Sequence, residues 1–159
     1  MSARVGIVMG SASDRTTMAA AEETLTALGV EFETRVLSAH RTPDAAAEWA
    51  RGLEARGVKI VIAAAGGAAH LAGAMAAHTT LPVIGVPLAS PNAIAGGLDA
   101  LLSTVQMPRG VPVATVAVGE AGAANAGILA AQILALGDPD LGRRVKAMRE
   151  AMAAKILGS

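Results

Sequence analysis

Residues 59–70 read KIVIAAAGGAAH, a short apolar run that breaks into paired glycines and ends on a histidine. Lys59–Ala64 is apolar at nearly every position and too short for a free-standing helix. That is the pattern of a strand covered on both faces, which belongs to a parallel sheet. Similar runs rich in Val and Ile lie at Arg4–Met9, Glu31–Leu37, Pro82–Val86 and Pro112–Val118. The last of these is again almost continuously apolar, so it too reads as a strand covered on both faces.

Helical patterns alternate with these runs. Asp14 to Leu28 repeats at helical spacing, with Gly29 placed as its C-terminal cap. Thr42 and Pro43 form an N-cap and first-turn pair for a helix reaching Arg56 and stopped by Gly57. Gly122 to Leu136 is another helix, ended by Gly137-Asp138-Pro139. Asp140 to Leu157 carries Arg143, Arg144, Lys146, Arg149, Glu150 and Lys155, as an amphipathic arm would. The alternation predicts a three-layer αβα sandwich around a parallel sheet. One α/β domain is expected over residues 1–159, with a C-terminal helical arm at about 138–159.

The composition narrows the functions. Of 159 residues, 53% are hydrophobic, yet the chain has one Phe, one Trp and no Tyr. The apolar content is therefore Ala, Val, Leu and Ile with 18 Gly, which favours close backbone contact and packing against further copies of the chain. Thirteen basic residues balance thirteen acidic ones, so no basic field points to nucleic acid or an anionic membrane. There are no cysteines for disulfides or thiolate metal sites. The longest apolar runs, such as Ile60 to Ala65, are far below the ~20 residues of a membrane span. A soluble cytoplasmic protein is expected.

Ligands of open parallel sheets bind beyond the carboxyl ends of the strands. There the sequence sets Gly10-Ser11-Ala12-Ser13-Asp14, Ser38-Ala39-His40-Arg41, Gly66-Gly67-Ala68-Ala69-His70, Pro87-Leu88-Ala89-Ser90 and Gly119-Glu120-Ala121-Gly122. The stretch MGSASD (9–14) offers amides and hydroxyls for a phosphate before a helix, or simply a capped turn. Asp14 either caps that helix or accepts from sugar hydroxyls. Arg41 supplies a forked donor suited to phosphate oxygens. His40 follows a strand, precedes a helix and neighbours that cation, and an imidazole exchanges protons near neutral pH. His70, after a flexible glycine pair, is the weaker candidate, and His78 reads as a helix-end residue facing terminal carbonyls. No nucleophile elbow and no His–carboxylate cluster at metal spacing occurs.

Taken in order, GSASD (10–14), SAHRTP (38–43), AGGAAHL (65–71), GVPLAS (85–90), GLDALLSTVQMPRGVPVATVAVG (97–119) and GAANAGILAAQIL (122–134) resemble the 5-(carboxyamino)imidazole ribonucleotide mutase family. The likeness runs from about Val5 to Leu136 and follows the mutase branch in its GGAAHL loop. It implies a flavodoxin-like fold, a homo-octamer, a small ribonucleotide substrate and no metal or other cofactor. It also implies His40 as the catalytic acid/base. Ser11, Asp14 and Arg41 would hold the ribose phosphate, with Ser13 and Ser38 beside them, and Gly67 and His70 would lie in the loop closing over the substrate. An ATP-dependent synthetase that makes the carbamate substrate is the implied partner. Three places depart from the family pattern: HLAG (70–73) for His-Leu-Pro-Gly, Arg15 for an aromatic, and PNAIAGGLD (91–99). Two rivals stay open at this point, namely direct carboxylation of aminoimidazole ribonucleotide with free carbon dioxide and a non-catalytic flavin- or nucleotide-binding module.

Overall fold

Pleating sends the residues of β1 (Val5–Met9) alternately to two covered faces, and all five are buried. The computed structural model describes residues 3–158. β2 (Phe32–Val36) and β3 (Ile60–Gly66) flank β1. β4 (Val83–Leu88) lies beyond β3, and β5 (Ala114–Thr115) closes the far edge. All pairings are parallel, in the order β2-β1-β3-β4-β5, which is the flavodoxin-like order.

Against one face pack α1 (Arg15–Ala27), α5 (Glu120–Ala135) and the start of α6 (Pro139–Leu157). They meet the larger strand residues Ile7, Met9, Ile60, Ile62 and Ile84, none more than 1% exposed. The other face takes α2 (Pro43–Arg51), α3 (Leu71–His78) and α4 (Leu98–Val105). Here the strands present smaller residues. A Cβ on Gly6 would stand 3.1 Å from the Trp49 ring, and one on Gly85 would stand 2.5 Å from Thr104. Each buried Ile or Leu contributes about 1.5–3 kcal/mol, so the two clusters rather than helix propensity hold the layers.

The sequence reading needs three corrections and the addition of two short helices. The run at Pro112–Val118 pairs only at Ala114 and Thr115 and is partly exposed, because it forms the sheet edge rather than an inner strand. The second helix stops at Arg51, and a separate 3-10 turn covers Glu54–Arg56 before left-handed Gly57. Thr42 occupies the N-cap position but makes no cap bond; its hydroxyl turns back to Ser38 instead. α3 and α4 have eight residues each, too short for periodicity to mark their ends. Gly29 does cap α1 in the left-handed region, at φ 64°. Arg144 Nε donates to Leu28 O at 2.8 Å, tying α6 to the end of α1. Among the described residues no helix is long and apolar enough to cross a membrane.

Candidate active site

The loop after β2 is held by its own side chains. Ser38 Oγ accepts from the amides of His40 (3.3 Å) and Arg41 (3.1 Å). Thr42 Oγ1 accepts from Ser38 N at 2.9 Å and donates to Ser38 O at 3.1 Å. Such Ser/Thr turns fix a short loop locally. The turn sends Arg41 towards the first loop, where Nη2 donates to Gly10 O at 2.9 Å. Arg41 is therefore anchored between two strand ends rather than free in solvent.

The first loop closes as a capping box. Ser11 N donates to Asp14 Oδ2 at 3.0 Å, while Ser11 Oγ accepts from Ser13 N at 3.3 Å and from the Ser13 hydroxyl at 2.8 Å. Asp14 therefore caps the short 3-10 turn Ala12–Asp14 and not α1, at whose N-cap position its side chain makes no cap bond. Burial pushes its carboxyl above the ordinary value, against the lowering effects of the Ser11 amide, the Ser13 hydroxyl and the Arg41 charge.

The loop after β3 brings the second imidazole. Gly67 sits at φ 63°, where an L side chain is strained. A Cβ on Gly66 would come within 3.1 Å of Leu88 O, so β4 presses directly on the turn. His70, at the N-terminus of α3, meets His40: Nε2 of His40 and Nδ1 of His70 are 2.8 Å apart. The rings stand edge to face, centroids 4.9 Å apart at 87°. An N–H···N contact needs one donor and one acceptor, so the bonded pair holds a single hydrogen between those nitrogens.

Ser11, Ser13, Asp14, Ser38, His40, Arg41 and Gly67 all line one open cavity of about 380 Å³ at the carboxyl ends of β1, β2 and β3, and His70 joins through His40. Sequence reasoning ranked His70 low and did not pair it with His40, since their spacing of thirty residues carries no local signal. It also missed Leu71, which lines the cavity, and Ser103, whose Oγ accepts from Ala69 N at 3.0 Å. The Gly119–Gly122 stretch, expected at the same edge, is not among the lining residues, because β5 lies two strands from β3 and further still from β1. Trp49 is committed to the core, 9% exposed, with Nε1 donating to Glu33 Oε1 at 2.9 Å. Phe32 starts β2, at the end opposite the cavity. Among the described residues, no three His, Cys, Asp or Glu are grouped to hold a metal. The cavity thus combines a tied cation, hydroxyl groups, small residues and, at its edge, a hydrogen-bonded pair of imidazoles.

The AIR carboxylase family model matches residues 4–155. The N5-carboxyaminoimidazole ribonucleotide mutase of Bacillus subtilis is 56% identical over 155 residues, 98% of this chain and 94% of that protein. The mutase of the same name from Vibrio vulnificus is 54% identical over 156 residues, 98% and 96% of the two chains. Among solved structures, Treponema denticola PurE superposes with a TM-score of 0.86 at 31% identity, covering 97% of this chain and 94% of that one.

Proposed function

The chain belongs to the AIR carboxylase family, and on that premise we propose that it catalyses the reaction for which its close relatives are named. It is an isomerase of purine biosynthesis that converts N5-carboxyaminoimidazole ribonucleotide to 4-carboxy-5-aminoimidazole ribonucleotide. The observation that carries the site assignment is the His40–His70 contact at the mouth of the cavity, beside the anchored Arg41.

In this reading Arg41 and the Ser11, Ser13 and Ser38 hydroxyls take the ribose phosphate, with Asp14 shaping the loop that presents them. The substrate's N–CO2⁻ bond breaks as protonated His40 delivers its proton to the exocyclic nitrogen, releasing carbon dioxide and the aminoimidazole. The electron-rich ring carbon then attacks carbon dioxide, and neutral His40 removes the ring-carbon proton to restore aromaticity. One proton is given and one recovered, and the carboxylate has only moved. The carbamate brings the carbon dioxide and the ring supplies the electron pair, so no further co-reactant is consumed. Small residues at Gly67, Ala68 and Ala65 leave room for the freed gas beside its acceptor, replacing a bimolecular encounter. The core position of Trp49 removes one of the two large aromatics a flavin module would stack on.

Turnover of the carbamate substrate by wild type and His40→Asn tests this. General acid–base help contributes about 10²–10⁴-fold, so His40→Asn should lose at least that much rate while still binding ribonucleotide. Arg41→Ala should raise KM for the phosphate-bearing substrate. A second arm supplies aminoimidazole ribonucleotide with bicarbonate, where the mutase reading expects little product. An active His40→Asn, or faster turnover in the second arm, would sink it.

The reading extends to the assembly. A single α/β domain with its arm at about 138–159 is the unit we propose packs into a homo-octamer. Supporting this, Leu98, Leu102 and Val105 on α4, and Met152, Ile156 and Leu157 on α6, are apolar yet exposed in the lone chain, Leu157 by 86%. Light scattering at eight chain masses is the expected result. The labile carbamate must come from an ATP-dependent synthetase, in the cytoplasm.

A further inference from the structure

We propose that Ser103 on α4 is a positioning residue for the proton-exchanging pair, acting through the backbone of Ala69 on His70 and thence on His40. This rests on the mutase reading of the site. The loop 66–70 has glycines at its start and little of its own to hold it. Its internal bonds, Ala69 N to Gly67 O at 2.9 Å and His70 N to Ala68 O at 2.8 Å, span only two residues each, a cramped geometry for a hydrogen bond. The external tie comes from Ser103, thirty-four residues on, whose Oγ accepts from Ala69 N at 3.0 Å.

Ser103 is itself oriented. Its hydroxyl hydrogen has Asp99 O at 2.7 Å, one helical turn back, as its nearest acceptor, with Ala100 O at 3.2 Å and Gly67 O at 3.3 Å behind it. Donating backward leaves a lone pair for Ala69. The neighbouring Thr104 gives the loop no comparable support. Its hydroxyl goes to Ala100 O at 2.7 Å, and Ala69 O lies at 3.5 Å, beyond a useful bond. Ala69 is 1% exposed and Ser103 is half-buried, so the tie is partly shielded from water. The residue after this anchored amide is His70, whose ring meets His40 at 2.8 Å. Loosening Ala69 therefore moves an imidazole, while Arg41 and the 10–14 loop, fixed by separate bonds, stay in place.

Ser103→Ala and Ser103→Thr in the full chain test this. A displacement of an ångström at a reacting group costs up to about a hundredfold, and a partial one in Ser103→Ala should cost roughly tenfold in kcat with KM within about twofold. Ser103→Thr keeps the hydroxyl and should keep the wild-type rate. Solid-state nitrogen NMR of histidine-labelled protein reads the same effect without turnover. Wild type and Ser103→Thr should show the N–H···N pair of His40 and His70, and Ser103→Ala should lose it. Wild-type kcat in Ser103→Ala, a rise in KM alone, equal damage in both variants, or an intact pair in Ser103→Ala would each overturn the proposal. If wild type proved inactive as a mutase, the NMR arm would still decide the positioning claim.

Discussion

The two loops that carry His40 and His70 meet at one hydrogen bond but are built in opposite ways. In residues 38–42 nearly every restraint is local: Ser38 and Thr42 bond each other and the amides between them. In residues 66–70 the glycines contribute freedom, and firmness is borrowed from Ser103 on another helix. A self-tied loop holds its cation and its imidazole together. A borrowed tie can fail without disturbing anything but the loop it serves.

The largest test of that contrast is Thr42→Val. It removes both side-chain bonds to Ser38, leaving the backbone bond from Thr42 N to Ser38 O, while keeping the side chain's shape, and should disturb His40 and Arg41 at once. We expect kcat/KM to fall by about a hundredfold, with kcat and KM both worse, where Ser103→Ala changes kcat alone. Steady-state kinetics of both variants separates the two loops, and a Thr42→Val effect confined to kcat would break the contrast.

Gly67→Ala probes the freedom of the second loop. An added Cβ would meet nothing within 4 Å, so its cost is the backbone's alone, about 1–2 kcal/mol for a left-handed residue. At about 2–4 °C per kcal/mol for a chain of this size, a thermal melt should drop by several degrees. An unchanged Tm would mean the loop adopts another conformation at no cost.

The smallest expected effect concerns Asp14, under the self-tied side of the cavity. Burial raises its carboxyl, so the folded chain holds that proton more tightly than the unfolded one. Stability then falls as pH rises from the ordinary aspartate value through the raised one, and is flat above. Asp14→Asn removes this fall. The difference in unfolding free energy between variant and wild type, followed across the acid range, should shift in favour of Asn with rising pH and then level off. A difference that runs the other way would mean the Ser11 amide, the Ser13 hydroxyl and the Arg41 charge together outweigh burial.

The same contrast explains what could be seen from the sequence. SAHRTP is legible as part of the candidate cavity because most of its restraints lie within five residues, and Arg41 and His40 are adjacent in the chain. The strands were legible where Val and Ile run together. Pro112–Val118 misled because an apolar run does not say whether it lies inside a sheet or at its rim, and only Ala114 and Thr115 pair. His70 and Ser103 were illegible as partners for a related reason. Their contacts depend on β3 lying beside β1 and on α4 sharing a face with α3, which spacing along a chain does not encode.

The sheet order has a last consequence. The helix leaving β1 goes to one side of the sheet and the helix leaving β3 goes to the other, so the hollow between them is opened by the route the chain takes and not carved by the residues that line it. Its occupants can be rewritten without removing the berth. A designer wanting to host a different guest could exchange the exposed wall residues and leave the two hydrophobic clusters, to which the wall's own Leu71 belongs, untouched.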